Sequence, residues 1–189
     1  VEVLDDQQYV STIDHEDGAS RECVFIKDIE CGSWHAILLT DKGQIYGYGK
    51  SMFGQLGFGT QPRNMVVARP TLHPFLSEDT VFTKIRCGAL FSMFISEGGL
   101  CYLCGDNDEG QIGNGLQRVD VKLPYLISQR LDVRIVDGDC GNKHSIMISE
   151  ENRIWCCGDN THHQCLPNSS ESNIITPKEL SKAEIGIDE

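Results

Sequence analysis

Short apolar runs alternate with polar turns along most of the chain. In the first clear case, an apolar run at 36–40 meets a polar, glycine-containing turn, and a second run rich in aromatic residues follows at 44–48. Two such runs joined by a short turn predict a β-hairpin. The same arrangement returns at 92–104 and 145–157, with Asn152 at the position of the turn glycine. Asparagine tolerates the left-handed backbone that glycine supplies, so the third turn fits the same prediction.

The hairpins belong to an internal repeat. Five marker positions recur in constant phase, at a spacing of roughly 55 residues that is close to known propeller periods. The markers are a Cys-Gly step (Cys31-Gly32, Cys87-Gly88, Cys140-Gly141), a turn residue (Gly43, Gly99, Asn152), a strand glycine (Gly49, Gly105, Gly158), a loop glutamine (Gln55, Gln111, Gln164) and a proline (Pro70, Pro124, Pro177). Because the markers keep phase with one another, we interpret the chain as three copies of one structural unit.

Each unit contains more than a hairpin. The stretches 70–76 and 124–127 begin with proline, which suits the start of a strand or a sheet edge, and they predict a further strand. About four short strands in each unit are typical of a propeller blade. No long segment has helical periodicity, and a helix is considered only at 181–189. The predicted organisation is an N-terminal flank or partial blade at 1–27, three repeats at 28–84, 85–135 and 136–180, and a C-terminal flank or start of a further blade at 181–189.

The repeated residues resemble the repeat of the regulator of chromosome condensation family. The resemblance rests on Cys31-Gly32-Ser33-Trp34-His35-Ala36 and Gly54-Gln55-Leu56-Gly57-Phe58-Gly59 in the first unit, on Cys87-Gly88, Gly105-Asp106-Asn107 and Gly110-Gln111-Ile112-Gly113-Asn114-Gly115 in the second, and on Cys140-Gly141, His144-Ser145 and Gly158-Asp159-Asn160 in the third. Phe91 departs from the histidine that the family has there, and the third loop departs as His163-Gln164-Cys165-Leu166-Pro167-Asn168.

The resemblance implies an all-β fold of the β-propeller type. Members of the family close a ring of about seven blades, within the range usual for propellers. About three blades are recognisable here. The resemblance therefore implies a partial propeller, or a propeller completed by oligomerisation or by a missing part.

The repeat signature is interpreted as structural. The Cys-Gly step is expected near the propeller axis, where a free cysteine acts as a small apolar residue. Tyr46, Tyr102 and Trp155 are expected to fill space between neighbouring blades, and His35 and His144 to hydrogen-bond to backbone within a blade. The expected structural residues are Cys31, Gly32, His35, Gly43, Gly49, Gly54, Gln55, Gly57, Cys87, Gly88, Gly99, Gly105, Gly110, Gln111, Gly113, Cys140, Gly141, His144, Gly158 and Gln164.

Composition narrows the class of function. A net charge of −12 argues against direct binding of nucleic acid or of an anionic membrane surface, because both need clustered Lys and Arg. No stretch approaches the ~20 apolar residues that cross a bilayer. Nine cysteines cannot all pair within one chain, so they are expected to be mostly reduced thiols of an intracellular protein, in the cytoplasm or the nucleus.

Several residues resemble metal or redox sites when they are considered apart from the repeat. Cys101 and Cys104 form a C-x-x-C pair, but both fall at strand positions and are expected to be packed thiols. A zinc site at His162-His163-x-Cys165 matches no standard spacing. Asp106-Asn107 and Asp159-Asn160 repeat in phase and are expected to cap turns rather than bind calcium. We therefore predict no catalytic, cofactor or metal site.

The functional expectation is a non-enzymatic protein-binding module or scaffold. Propellers bind partners through the loops on their faces, and the fold alone does not name the partner. The resemblance also implies an alternative, a guanine-nucleotide exchange factor for a Ran-like small GTPase. The expected partners are a protein, a small GTPase or a larger complex, with self-association as a way to complete the ring.

Overall fold

Three four-stranded antiparallel sheets make up the protein in the computed structural model, which describes residues 24–60, 66–76 and 79–186. The first blade contains β1 (Ile26–Cys31), β2 (His35–Thr40), β3 (Ile45–Lys50) and β4 (Val66–Leu72). The second contains β5 (Phe82–Cys87), β6 (Phe91–Ser96), β7 (Cys101–Gly105) and β8 (Val121–Leu126). The third contains β9 (Ile135–Cys140), β10 (His144–Ser149), β11 (Ile154–Asp159) and β12 (Asn173–Leu180).

The three sheets fan about a common axis. Within each sheet, the strands follow chain order, so every neighbour is joined by a direct connection. The first strands of successive blades, β1, β5 and β9, contact one another in turn, which places them at the axis and the fourth strands at the rim. The all-β class and the partial propeller of about three blades are therefore confirmed.

Apolar residues from adjacent sheets form the cores. One buried cluster lies between the first and second blades and includes Ile37 and Phe94. A second lies between the second and third blades and includes Met93 and Met147. A third covers the opposite face of the third blade around Cys156. The two faces of each sheet thus bury separate sets of side chains, as period-2 alternation requires.

The rim strands differ from the sequence prediction. Strands were predicted to begin at Pro70 and Pro124, but β4 and β8 begin several residues earlier. Each proline lies instead at an irregularity in the pairing with the third strand, and Pro177 occupies the same place in β12. A bulge leaves residues without a ladder partner, so proline's missing N–H is tolerated there.

Helical structure is scarce and short. Residue 127 was predicted to be strand, but it begins α1 (Ile127–Leu131), a five-residue helix too short to show a periodic pattern. The region 181–189, considered as a helix, contains a 3-10 turn at Lys182–Ile185. Of the predicted N-terminal flank 1–27, residues 1–23 lie outside the described residues, and Ile26 and Lys27 belong to β1.

Candidate functional site

The loop after β3 attaches the first blade to the second. The backbone oxygen of Gln55 accepts a hydrogen bond from Ser92 Oγ at 2.8 Å and one from Cys104 Sγ at 3.7 Å, both in the second blade. Farther along this loop, the backbone N–H of Gly59 donates to the oxygen of Lys122 at 3.0 Å. The loop therefore docks against the rim strand of the next blade as well as against its middle strands.

The second junction repeats this geometry. The oxygen of Gln111 accepts from Ser145 Oγ at 2.6 Å and from Cys157 Sγ at 3.3 Å. The N–H of Gly115 donates to the oxygen of Ile175 at 2.9 Å. In phase, these residues match the ones at the first junction, so the docking is a property of the repeat.

Close approach explains the glycines in the middle of the docking loops. A Cβ on Gly57 would lie 2.8 Å from His73 Nε2 and 3.1 Å from Pro124 Cγ. A Cβ on Gly113 would lie 2.7 Å from Pro177 Cγ. The loop backbone thus packs directly on the bulge proline of the following blade, and a side chain there would hold the two blades apart.

A ring side chain packs on the glycine of each Cys-Gly step. A Cβ on Gly32, Gly88 or Gly141 would lie 2.0–2.1 Å from a ring carbon of His35, Phe91 or His144, respectively. Phe91 therefore replaces histidine without loss of this contact, since the position needs a flat ring rather than an imidazole.

His35 also joins two blades. Its Nε2 lies 2.8 Å from Ser92 Oγ, and because that hydroxyl donates its proton to the oxygen of Gln55, Nε2 carries the proton of the neutral ring. Burial lowers the pKa of His35 to about 4.

The prediction that the His35 ring bonds to backbone within its own blade is wrong, since its partner is a side chain of the next blade. The pKa of His144 is lowered as well, because burial lowers it more than the nearby carboxylates of Asp159 and Asp139 raise it.

The third loop keeps its internal structure despite its altered sequence. Gln164 Oε1 accepts from the N–H of His162 at 2.8 Å, as Gln55 and Gln111 do from their own loops. Asn160 Oδ1 accepts from the N–H of Cys165 at 3.0 Å, as Asn107 does from that of Ile112. The loop therefore folds locally, with Leu166 buried on the third blade where Gly57 and Gly113 stand in the other loops.

The remaining signature glycines lie in turns and at strand bends. Positive φ angles occur at Gly43, Gly99 and Asn152 in the hairpin turns, at Gly49, Gly105 and Gly158 near the ends of third strands, and at Gly54, Gly110 and His163 in the loops. Asp106 Oδ1 and Asp159 Oδ1 accept hydrogen bonds from the N–H groups of Asp108 and Thr161. These contacts place both aspartates in turn caps.

The three Cys-Gly steps meet at one end of the axis. Cys31, Cys87 and Cys140, with the residues that follow each, line a shallow cleft of about 440 Å³. The N–H of Ser33 donates to the oxygen of Ala89 at 2.8 Å across the first junction. Burial raises the pKa of Cys87 to about 12, and it also raises that of Cys140, so neither thiol ionises near neutral pH.

A charged cluster lines the axis below this cleft. Arg86 on β5 lies within 4.0 Å of Asp28, Glu30, Asp137 and Asp139 on the two flanking strands. Lys84 adds a 2.8 Å pair with Asp137. Carboxylates outnumber cations in this group, and burial is the main cause that raises the pKa of Glu30.

An exposed aromatic cluster lies at the loop end of the first blade. We use "loop end" for the end of the propeller that carries the β1–β2 and β3–β4 connections and their equivalents. Trp34 is 48% exposed, stacks on Phe53 with ring centroids 6.3 Å apart, and has Lys50 Nζ 4.4 Å from its ring centroid. Phe53 and Lys50 carry no signal in the sequence, because the loop that brings Phe53 to Trp34 has no regular period.

Neither the cysteine pair nor the histidine group forms a metal site. Cys101 is buried in the cluster between the second and third blades, and Cys104 in the cluster between the first and second. His162 and His163 are exposed, whereas Cys165 is buried. Within residues 24–60, 66–76 and 79–186, no three His, Cys, Asp or Glu side chains gather in a way that could hold a metal ion.

No helix among the described residues has the length and apolar content needed to cross a membrane.

Comparison with known proteins shows the family to which this fold and these repeats correspond. Two family models described as regulator of chromosome condensation (RCC1) repeat match the chain, one at residues 26–55 and 135–164 and the other at 42–95 and 98–148. Among curated proteins, the human X-linked retinitis pigmentosa GTPase regulator is 26% identical over 81% of this chain, and the human E3 ubiquitin-protein ligase HERC2 is 28% identical over 72%. The chain spans 14% and 3% of the lengths of these two relatives.

Solved structures share the architecture. Human WBSCR16 superposes with a TM-score of 0.74 at 20% identity, over 87% of this chain and 42% of that one. Prp20p from Saccharomyces cerevisiae superposes with a TM-score of 0.73 at 20% identity, over 82% of this chain and 38% of that one. At this level of identity, the likeness concerns the fold.

Proposed function

This chain belongs to the regulator of chromosome condensation (RCC1) repeat family, and on that basis we propose that it is a protein-binding segment of a β-propeller that performs no catalysis of its own. The observation that carries the proposal is the cluster at the loop end of the first blade, in which the exposed Trp34 lies against the half-buried Phe53 and Lys50. The residues of the repeat signature hold the blades together. We therefore expect the residues that differ between the units to bind the partner.

The aromatic cluster has the properties of an interface anchor. Tryptophan is enriched among the residues that dominate binding energy at protein interfaces, because it buries a large area with few rotatable bonds. At the position of Trp34, the second and third blades carry Leu90 and Lys143, and at that of Phe53 they carry Glu109 and His162. The cluster is thus specific to one blade and is not required by the fold.

The electrostatic surroundings favour a basic partner. Glu109 of the second blade pairs with Lys143 of the third at 3.3 Å, and Asp120 pairs with Lys122 at 3.2 Å, while Asp108 is exposed beside Glu109. The net charge of −12 gives the chain a long-range attraction for a cationic surface. We propose that the partner presents an apolar residue to Trp34 and a basic residue to the exposed carboxylate of Asp108.

Site-specific photo-crosslinking tests the proposal. A photoreactive phenylalanine analogue at position 53, in the full chain expressed in its native cells, is expected to give a discrete protein adduct. The same analogue at the exposed Glu97, in the hairpin turn at the opposite end of the second blade, serves as the control. Trp34→Ala is expected to abolish the adduct from position 53 without lowering the thermal midpoint by more than a few degrees.

Two results would contradict this assignment. One is the absence of any adduct from position 53 in cells where the chain is folded. The other is an adduct whose yield is unchanged by Trp34→Ala, since the anchor would then contribute nothing.

A second candidate function is nucleotide exchange on a Ran-like small GTPase. The fold likeness to Prp20p supports it, because Prp20p has binding properties toward Gsp1p and histones. In that case the propeller would bind the GTPase and loosen its nucleotide without covalent chemistry. Release of fluorescent GDP from a purified Ran-type GTPase, measured with and without this chain, decides the matter: acceleration supports exchange, and an unchanged rate rejects it for this chain.

We also propose that the protein works in a reducing compartment inside the cell. The eight cysteines among the described residues are all free thiols, and five of them are buried within the blades. Reduced buried cysteines are typical of cytoplasmic and nuclear proteins. Thiol alkylation in freshly lysed cells, with and without prior reduction, tests this directly.

A further inference from the structure

We infer that Cys156 and Cys165 form an oxidation-sensitive thiol pair, which a peroxide converts to a disulfide that ties the third loop to strand β11. The repeat itself points to these two positions. Cys156 stands where the first and second blades have Gly47 and Leu103, and Cys165 stands where they have Leu56 and Ile112.

The fold brings the two positions close together in the other two blades as well. In the first blade, a Cβ on Gly47 would lie 3.1 Å from Leu56 Cδ2. In the second blade, Leu103 and Ile112 are fully buried in the same cluster. The third blade alone carries a cysteine at both places, so the contact that elsewhere packs apolar atoms brings two thiols together.

The local geometry agrees. Cys156 Sγ lies 3.1 Å from the backbone oxygen of Cys165 and 3.7 Å from that of Lys178. Cys165 Sγ donates to the backbone oxygen of Asp159 at 3.5 Å, and both cysteines belong to the cluster on the face of the third blade that no other described blade covers. Ile148 on this face is 36% exposed, so a small oxidant needs only a local opening to reach the pair.

The two thiols are chemically unequal. Interaction with the side chain of Cys165 lowers the pKa of Cys156, and interaction with the side chain of Cys156 raises the pKa of Cys165. By contrast, burial raises the pKa values of Cys101, Cys104 and Cys157. Since the thiolate is the nucleophile, Cys156 is the thiol that reacts first.

The reaction balances with peroxide as the oxidant. Cys156 sulfur attacks one peroxide oxygen, the O–O bond breaks, and the second oxygen leaves as water, giving a sulfenic acid. Cys165 sulfur then attacks the Cys156 sulfur and displaces the hydroxyl group, which leaves as water with the proton of Cys165. The two sulfurs lose two electrons in total, and one peroxide becomes two waters.

Peptide mapping of the folded full chain tests the pair. After treatment with hydrogen peroxide and alkylation of the remaining thiols, trypsin cuts after Arg153 and Lys178, and cleavage before Asp159 separates Cys156 and Cys157 from Cys165. The oxidised protein is expected to yield peptides 154–158 and 159–178 as one disulfide-linked species, detected by its mass. Reduction is expected to convert this species into the two separate peptides.

Cys157→Ser is the matched control. Cys157 is the chain neighbour of Cys156, but it lies in the other cluster and donates to Gln111, so this variant is expected to keep the link. Cys156→Ala and Cys165→Leu are expected to abolish it, and the second restores the residue type found at Leu56. A link that persists in Cys156→Ala, one that disappears in Cys157→Ser, or one that forms only in denaturant would overturn the proposal.

Discussion

The first two docking loops and the third loop have the same fold but different neighbours. The loops around Gln55 and Gln111 both lie against a following blade, and each presents a glycine to its bulge proline. The loop around Gln164 keeps the same internal hydrogen bonds, yet it carries Leu166 at the glycine position and buries it on its own blade.

This difference shows which requirement for glycine comes from the loop and which from the neighbouring blade. At Gly54, Gly57, Gly110 and Gly113, the backbone has a positive φ, and a Cβ would lie 2.7–3.1 Å from an atom of the following blade. His163, in the third unit, keeps the positive φ with a side chain. The positive φ at this position is therefore a property of the loop, whereas the following blade is what excludes a Cβ in the first two loops.

Gly113→Ala provides the strongest test of this division. The added Cβ would lie 2.7 Å from Pro177 Cγ and 3.0 Å from Cys157 Sγ, at a residue whose φ is +73°. A left-handed alanine and an overpacked contact together are expected to cost about 2–4 kcal/mol of unfolding free energy. Urea unfolding followed by tryptophan fluorescence measures this loss.

Gly59→Ala is the matched control, because Gly59 also has a positive φ, of +83°, but a Cβ there would lie 3.6 Å from Leu123 Cδ2, an ordinary contact. Its effect is expected to be about 1–2 kcal/mol, the cost of a left-handed alanine alone. If Gly113→Ala were as mild as Gly59→Ala, the docking surface would not be the reason for the glycine.

Acid sensitivity is expected to concentrate at the first junction. Burial lowers the pKa of His35 to about 4, below its ordinary value of 6.5. Between these two pH values, His35 is protonated in the unfolded chain and neutral in the folded chain. Its contribution to stability is complete above pH 6.5 and is lost as the pH falls toward 4. Between pH 7 and pH 5, this loss is expected to be about 2 kcal/mol.

His35→Phe isolates this contribution, because the second blade already carries Phe91 at the equivalent position. The variant is expected to show a flatter decline of urea midpoint between pH 7 and pH 5. His73, whose pKa burial also lowers to about 4, remains as a source of acid sensitivity. An unchanged pH slope in His35→Phe would mean that the junction is not the acid-labile element.

The fold could be predicted because the repeat places the same markers in phase three times, whereas the contacts between units could not. The Cys-Gly step, the turn glycines and the hairpins are local, and Cys31, Gly43 and Gly49 lie in strands and turns of one blade. The strand starts at Pro70 and Pro124 were misplaced because a bulge is defined by the partner strand and leaves no mark of its own.

The candidate site was harder to predict for the same reason. Trp34 and Phe53 meet through the path of an irregular loop, and no pattern in the sequence encodes that path. Ser92 and Ser145 did carry a signal, since each follows the ring residue of its unit, but their partner Gln55 or Gln111 belongs to the previous blade. The first blade has Ala36 at this position, which shows that the serine serves a junction and not the blade itself.

The smallest expected effect distinguishes the two junctions from each other. Ser92 accepts from His35 Nε2 and donates to the oxygen of Gln55, whereas Ser145 donates to the oxygen of Gln111, and each of these oxygens also accepts a hydrogen bond from a cysteine Sγ. Ser92→Ala leaves a buried imidazole N–H without its acceptor and is expected to cost about 2 kcal/mol, while Ser145→Ala is expected to cost about 1 kcal/mol.

A double-mutant cycle with His35→Phe sharpens this difference. Once the imidazole is gone, Ser92→Ala removes only the bond to Gln55, so its cost is expected to fall to about that of Ser145→Ala. Urea unfolding of the four proteins gives the coupling free energy between the two side chains. If the costs were additive, His35 would be packed against the second blade without depending on the hydroxyl, and each serine would stabilise its junction only through its bond to the loop glutamine.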